Sequence, residues 1–155
     1  MWDKIVNFLL LRHVRLALLR RRLEDALASE ATEEVFKLLL RVMAFCFIVD
    51  RAYRKNLKGF AADYLFVTEK GNINVAVTFR NNRMWVYEET IDSYNVRVDF
   101  ADYKAVMAYL CNPDPDLLDQ LLNQKLEFYG NLNYLYKFVY LSRHLLFTLG
   151  IVPAA

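Results

Sequence analysis

Glycine, proline, histidine and cysteine are scarce in this 155-residue chain, at four, three, two and two residues, and each scarcity excludes something. Four scattered glycines form no GxGxxG and no Walker sequence, so neither a glycine-rich phosphate cradle nor a nucleotide cofactor is expected. With so little glycine and proline no stretch reads as an interdomain linker, no repeat has solenoid spacing, and one domain over residues 1–155 is expected. His13 and His144 form no HxxxH or HxH pair, and Cys46 and Cys111 form no CxxC. No metal site is expected, and the thiols, set in "MAFCFIV" and "AYLCNPD", read as buried and free, with a disulfide as the alternative.

Strong charge of one sign is also missing. Twenty Lys and Arg stand against eighteen Asp and Glu, a net charge of +2, so nucleic acid is not an expected partner. Arg12, His13 and Arg15 interrupt the apolar start well before the roughly 20 residues that cross a bilayer, and Trp2 and Asp3 suit no secretory leader. A cytoplasmic protein is expected. Signals of catalysis are equally thin: Ser29, Ser93 and Ser142 lie in no nucleophile motif, and Glu88 and Glu89 point to opposite faces of a strand. Asp114, Asp116 and Asp119 of "DPDLLD" lack the length and glycine of a calcium loop and read as helix caps. The expectation is a non-catalytic protein without cofactor.

What is abundant is apolar and aromatic surface, 56% and 15% of the residues. Residues 2 to 27 repeat Ile5, Leu9, Leu16, Leu19, Leu23 and Leu27 at helical spacing, with arginines around them. "SEATEEVFKLLLRVMAFCFIVD" gives a second helix, capped at Ser29 or Thr32 with Glu33 and Glu34 near its positive end. "RAYRKNLKGF" reads as basic and irregular. "ADYLFVTE", "NINVAVTF", "RMWVYEET" and "SYNVRVD" are β-rich segments divided at Gly71 and at Asn81–Asn82, and they predict an antiparallel meander. Helical spacing returns in "DFADYKAVMAYLCN", capped at Asp99, and in "DPDLLDQLLN", capped at Asp114 with Pro115 in its first turn. "KLEFY" alternates up to Gly130, and a last helix runs to Gly150 and Pro153. Strands followed by helices and a returning strand predict a two-layer α+β domain.

The stretch "NQKLEFYGNLNYLYKF" resembles the sterol carrier protein 2 domain family, whose pattern is G-x-[IVL]-x-[VIF]-x-G-[ND]-[LP]-x-x-x-x-[KLF] before a final helix. Leu126 and Phe128 take the apolar strand positions, Gly130 and Asn131 the glycine–polar pair, and Leu132 the start of the helix. The first glycine of the pattern is replaced by the region of Asn123 and Gln124. The helix from Phe100 to Leu110 is similar to the family's helix after its sheet, and the likeness spans residues 61–147, leaving an N-terminal helical extension of about 1–49. The resemblance implies a mixed, mostly antiparallel five-stranded sheet covered by helices, with a hydrophobic cavity between the layers. It also implies a lipid-binding or lipid-transfer role toward fatty acids, acyl-CoA, phospholipids or sterols.

The residues themselves suit that role, because the last helix is apolar around most of its circumference and must be buried on several sides, border a cavity, or expose a sticky patch. Val75, Val77, Trp85 and Tyr87 are the candidate sheet wall; Met107, Leu118, Leu122, Tyr134, Leu135, Phe138, Val139, Leu141 and Leu145 are the opposite wall. Trp85 and Tyr87 packed beneath the N-terminal helices is the alternative. Arg12, Arg15, Arg20, Arg21 and Arg54 are candidates for an anionic headgroup or the surface of an anionic membrane. Two further readings stay open: a homodimer covered by the first helix, and a lipid-modifying enzyme built on Glu88, Asp92 and His144.

Overall fold

The computed structural model describes residues 2–28, 32–69, 73–112 and 116–151, with the backbone alone for residues 2–10, Thr32 and Cys111. The expected caps at Ser29 and Asp114, the side chain of Thr32, the turn at Gly71, Pro115 and Pro153 lie outside what is described.

Two long helices come first, α1 (Trp2–Ala28) and α2 (Thr32–Val49). Leu16, Leu19, Leu23 and Leu27 turn one stripe of α1 toward the core, and the row Leu11, Val14 and Leu18 faces outward. The last carbonyls of α2 have no partners within the helix; that of Cys46 accepts from the Asp50 amide at 2.8 Å, and that of Ile48 accepts from two arginines, Arg12 Nη2 at 3.0 Å and Arg54 Nη1 at 3.1 Å. The basic stretch expected to be irregular is instead a short helix, α3 (Arg51–Arg54), followed by a 3₁₀ turn, Lys55–Leu57. Asp50 makes the difference, since its Oδ1 accepts from the amides of Ala52 and Tyr53 at 2.7 and 3.1 Å.

The sheet has the order β3-β2-β1-β4-β5, formed by β1 (Ala62–Thr68), β2 (Asn74–Arg80), β3 (Arg83–Tyr87), β4 (Val96–Phe100) and β5 (Leu126–Gly130). It is mixed and mostly antiparallel, with helices against one face, as the family resemblance implies. Asn81 and Asn82 take φ of 52° and 58°, the positive values that let a two-residue hairpin follow the sheet's twist. The four-strand meander, however, stops at three strands. β4 crosses over to pair in parallel with β1. Asn95 fixes that pairing just before β4: its amide donates to the Asp63 carbonyl and its Oδ1 accepts from the Asp63 amide, both at 2.8 Å.

Helices α4 (Tyr103–Cys111) and α5 (Leu117–Leu122) precede β5. Their caps sit close to the expected ones but are different aspartates. Asp102 accepts from Ala105 N at 2.9 Å, and Asp116 accepts from Asp119 N at 2.9 Å. Asp99 instead belongs to β4, where Arg97 holds it through two bonds of 2.7 and 2.9 Å. The Gly130–Asn131 pair then has a plain physical role. Gly130 has φ of 118°, and a Cβ there would run into the Asn95 carbonyl oxygen. Asn131 caps α6 (Leu132–Thr148) by accepting from Asn133 N at 2.9 Å. At the far end Gly150 (φ 65°) closes α6: its amide donates to Phe147 and that of Ile151 to Leu146, the paired bonds of a Schellman ending.

Candidate functional site

Helix α6 decides where open space lies. Its inner side is joined to the rest of the molecule by rings and hydroxyls. Phe138 packs against Phe66 and Tyr64 with centroids 4.8 and 5.0 Å apart, and those two rings stack on each other at 5.8 Å. Three buried tyrosines donate to α6 carbonyls: Tyr53 to Leu141 at 2.8 Å, Tyr64 to Tyr134 at 2.9 Å and Tyr109 to Leu135 at 2.9 Å. Burial holds all three phenols above their ordinary pKa, so each remains a donor through the neutral range. Ser142, sealed in the core, adds a bond to the Leu110 carbonyl at 3.1 Å. At these residues the space between the layers is occupied by rings in mutual contact.

The space that borders α6 is on its other side. A groove of about 530 Å³, open along its length, is lined by Leu117 of α5 and by Tyr136, Val139, Tyr140, Arg143, His144 and Phe147 of α6. On α6 each of these positions has another three or four residues away, so together they make one stripe. Phe147 is 84% exposed, an unusual cost for a phenylalanine unless something covers it. Among the described residues the lining contains two nitrogen-bearing side chains, Arg143 and His144, and no carboxylate. Helix α6 has no acidic residue from Leu132 to Thr148, and Arg143 forms no ion pair among the described residues.

His144 is held from behind. Its Nδ1 lies 2.9 Å from Asn56 Nδ2, and its ring meets Tyr53 and Tyr140 with centroids 5.4 and 5.7 Å away. Asn56 sits in the 3₁₀ turn, donates a second amide hydrogen to the Tyr53 carbonyl at 2.9 Å, and accepts from the Tyr140 hydroxyl at 3.3 Å.

The residues expected to form the site fall into four places. Val75, Val77, Leu135, Phe138, Leu141 and Leu145 are in the core, with Met107 and Tyr134 partly buried against it. Trp85 and Tyr87 project from the opposite face of the sheet from Val75 and Val77: they pair with Thr78 and Ala76, whereas Val86 pairs with Val77. One wall formed by all four is therefore ruled out by the register, and so is packing of Trp85 and Tyr87 in the helix-covered core. Leu118 and Leu122 are 63% and 75% exposed on α5. Val139 alone among them lines the groove. Leu117, Tyr136, Tyr140, Arg143 and Phe147 were not among the sequence candidates, and His144 was one only for the enzyme reading, because a stripe that mixes rings with cations carries no uniform apolar signal.

Of the arginines, Arg12 and Arg54 cap α2, Arg15 lies 5.1 Å from the Phe45 ring centroid, Arg20 pairs with Glu24 at 3.0 Å, and Arg21 is exposed. Glu88 is joined to α2 by Lys37 at 3.0 Å and Arg41 at 2.7 Å, and the Lys37 bond foremost holds its carboxyl below the usual range. Glu88 and His144 thus have separate sets of partners. Among the described residues no three His, Cys, Asp or Glu side chains gather in a group able to hold a metal, and no helix is long and apolar enough to cross a membrane.

No protein-family model matches the chain, and no curated protein matches it by sequence. Solved structures do resemble it in fold. The stereoselective inverting sec-alkylsulfatase Pisa1 from a Pseudomonas species is similar over 67% of this chain, with a TM-score of 0.55 and 17% identity. The chain spans only 16% of that enzyme's length. The sterol carrier protein domain 2 of Helicoverpa armigera is similar over 74% of this chain and 88% of its own, with a TM-score of 0.54 and 13% identity. The fold is therefore like that of sterol-carrier-protein domains.

Proposed function

We propose that this protein binds, without chemical conversion, an amphiphile that has a long apolar chain and an anionic end, and that the chain lies in the open groove on the outer side of α6. The observation that carries the reading is the lining itself: mostly apolar and aromatic, with Arg143 and His144 together and, among the described residues, no carboxylate in it. A volume of about 530 Å³ falls within the range of small-molecule sites, roughly 300–1,000 Å³. Transfer of a methylene from water gives about 0.8 kcal/mol, so a sixteen-carbon chain half covered by the groove gains on the order of 6 kcal/mol before ordering costs. The names of the fold relatives, a sterol carrier domain and a sec-alkylsulfatase, concern molecules with a large apolar part and support the same class of ligand. The outward row Leu11, Val14 and Leu18, with Arg15 and Arg21 exposed on the same helix, supports peripheral contact with an anionic membrane from which such a ligand is drawn.

The test is displacement of a fluorescent fatty-acid probe by palmitate, comparing the parent protein with Phe147→Glu. Phe147 is so exposed that the substitution leaves the fold intact, and weakening by about tenfold or more is expected. Equal affinity in the two proteins rejects the groove. Sedimentation of the same samples gives the competing result: a dimer that Phe147→Glu splits, with no lipid affinity in either form, assigns the exposed rings to a second copy.

A further inference from the structure

From the hydrogen bonds behind the groove, and resting on the groove as the ligand site, we infer that Asn56 is a positioning residue that fixes the tautomer of His144. It thereby makes His144 Nε2 and Arg143 a paired donor for the anionic end of the ligand.

Two partners set the orientation of the Asn56 amide. The Tyr53 carbonyl, an acceptor only, is 2.9 Å from Nδ2, so Nδ2 is the donor there. The Tyr140 hydroxyl donates to Oδ1 at 3.3 Å, consistent with the same orientation. Turning the amide over would set Oδ1 against the Tyr53 carbonyl, two acceptors face to face. The second hydrogen of Nδ2 therefore points at His144 Nδ1, 2.9 Å away, and Nδ1 accepts it. A neutral imidazole that accepts at Nδ1 has its hydrogen at Nε2. Tyr53 and Tyr140 flank the ring and limit its rotation. Because Nδ1 is turned to Asn56, Nε2–H is the group that His144 offers to the groove it lines.

Arg143 precedes His144 in the chain and lines the same groove. A guanidinium and an imidazole N–H together donate to carboxylate, sulfate or phosphate oxygens and give a neutral hydroxyl no comparable attraction. The apolar stripe takes any chain of suitable length; the Asn56–His144–Arg143 series selects the ligand by its end. Among the described residues no other charged side chain lines the groove, so selectivity rests mainly on this pair and affinity on the apolar stripe.

Three ligands and two variants test this at pH 7.5 below micellar concentrations: dodecanoate, dodecanol and acetate against the parent protein, Asn56→Leu and Arg143→Gln. Dodecanoate is expected to bind the parent about tenfold or more tighter than dodecanol, and acetate not measurably. Each variant is expected to weaken dodecanoate severalfold and dodecanol by less, so that the preference for the acid narrows. Long-range ¹⁵N correlation spectra of His144 are expected to show the Nε2–H form in the parent and a mixture of tautomers in Asn56→Leu, a change that a purely structural asparagine would not produce. Dodecanol and dodecanoate bound equally by the parent, or an unmoved tautomer in Asn56→Leu with dodecanoate affinity unchanged, overturns the positioning role and leaves the groove standing. A parent protein that binds neither chain overturns the groove and this inference together.

Discussion

Three buried tyrosine hydroxyls and a buried thiol give the molecule a defined weakness at high pH. Burial pushes the Cys46 thiol up to about 12 and raises the phenols of Tyr53, Tyr64 and Tyr109, so the folded chain retains these protons where the unfolded chain releases them. Unfolded thiols and phenols titrate near about 8.5 and about 10. Above pH ~9 the folded state therefore binds more protons than the unfolded state, and stability falls as pH rises, by up to about 1.4 kcal/mol per pH unit for each group. Urea midpoints should hold between pH 7 and 8 and drop clearly by pH 10.5; a midpoint that stays level to pH 10.5 contradicts the tyrosine clamp. The same burial makes Cys46 slow toward alkylating reagents, so a Cys111→Ser variant should react at pH 8 only after denaturant is added. At this scale the sequence was legible for the thiol, whose apolar neighbours are adjacent in the chain. It was not legible for the tyrosine hydroxyls, whose partners lie 26 to 88 residues away.

Between β5 and α6 a single glycine and a single asparagine set the direction of the helix that carries the groove. Gly130→Ala combines a positive φ with a collision against the Asn95 backbone, and a loss of at least about 2 kcal/mol is expected in chemical denaturation. Asn131→Ala removes one cap bond and should cost about 1 kcal/mol. A Gly130→Ala protein as stable as its parent would contradict the described approach of β5 to Asn95. The element scale also shows what local pattern resolves. The Asn81–Asn82 hairpin was readable because two residues determine it. The crossover of β4 was not, because parallel pairing with β1 depends on Asn95 meeting Asp63, 32 positions away. Helix caps shifted for a similar reason. "DFAD" and "DPD" each offer two aspartates, and only the packed helix axis chooses Asp102 over Asp99 and fixes Asp116 as the partner of Asp119 N.

For the molecule as a whole, an aromatic interior and an exposed outer stripe on α6 share the apolar surplus of the composition. The two-layer fold was legible because periodicity marks which elements exist. The groove was not, because a helix apolar on two sides gives the same pattern whether its second side meets a core or a ligand. The outward row of α1 carries a prediction of its own: Leu11→Ser with Leu18→Ser, at positions 68% and 58% exposed, should leave thermal stability unchanged and reduce co-sedimentation with phosphatidylglycerol vesicles severalfold. Parent protein that stays in the supernatant would remove membrane contact from the account. The most direct measurement of ligand placement is a chemical-shift titration of labelled protein with dodecanoate. Saturable shifts should gather at Leu117, Tyr136, Val139, Tyr140, Arg143, His144 and Phe147; shifts centred on Val75, Val77 and Phe138, or none that saturate, would contradict a chain bound on the outer side of the last helix.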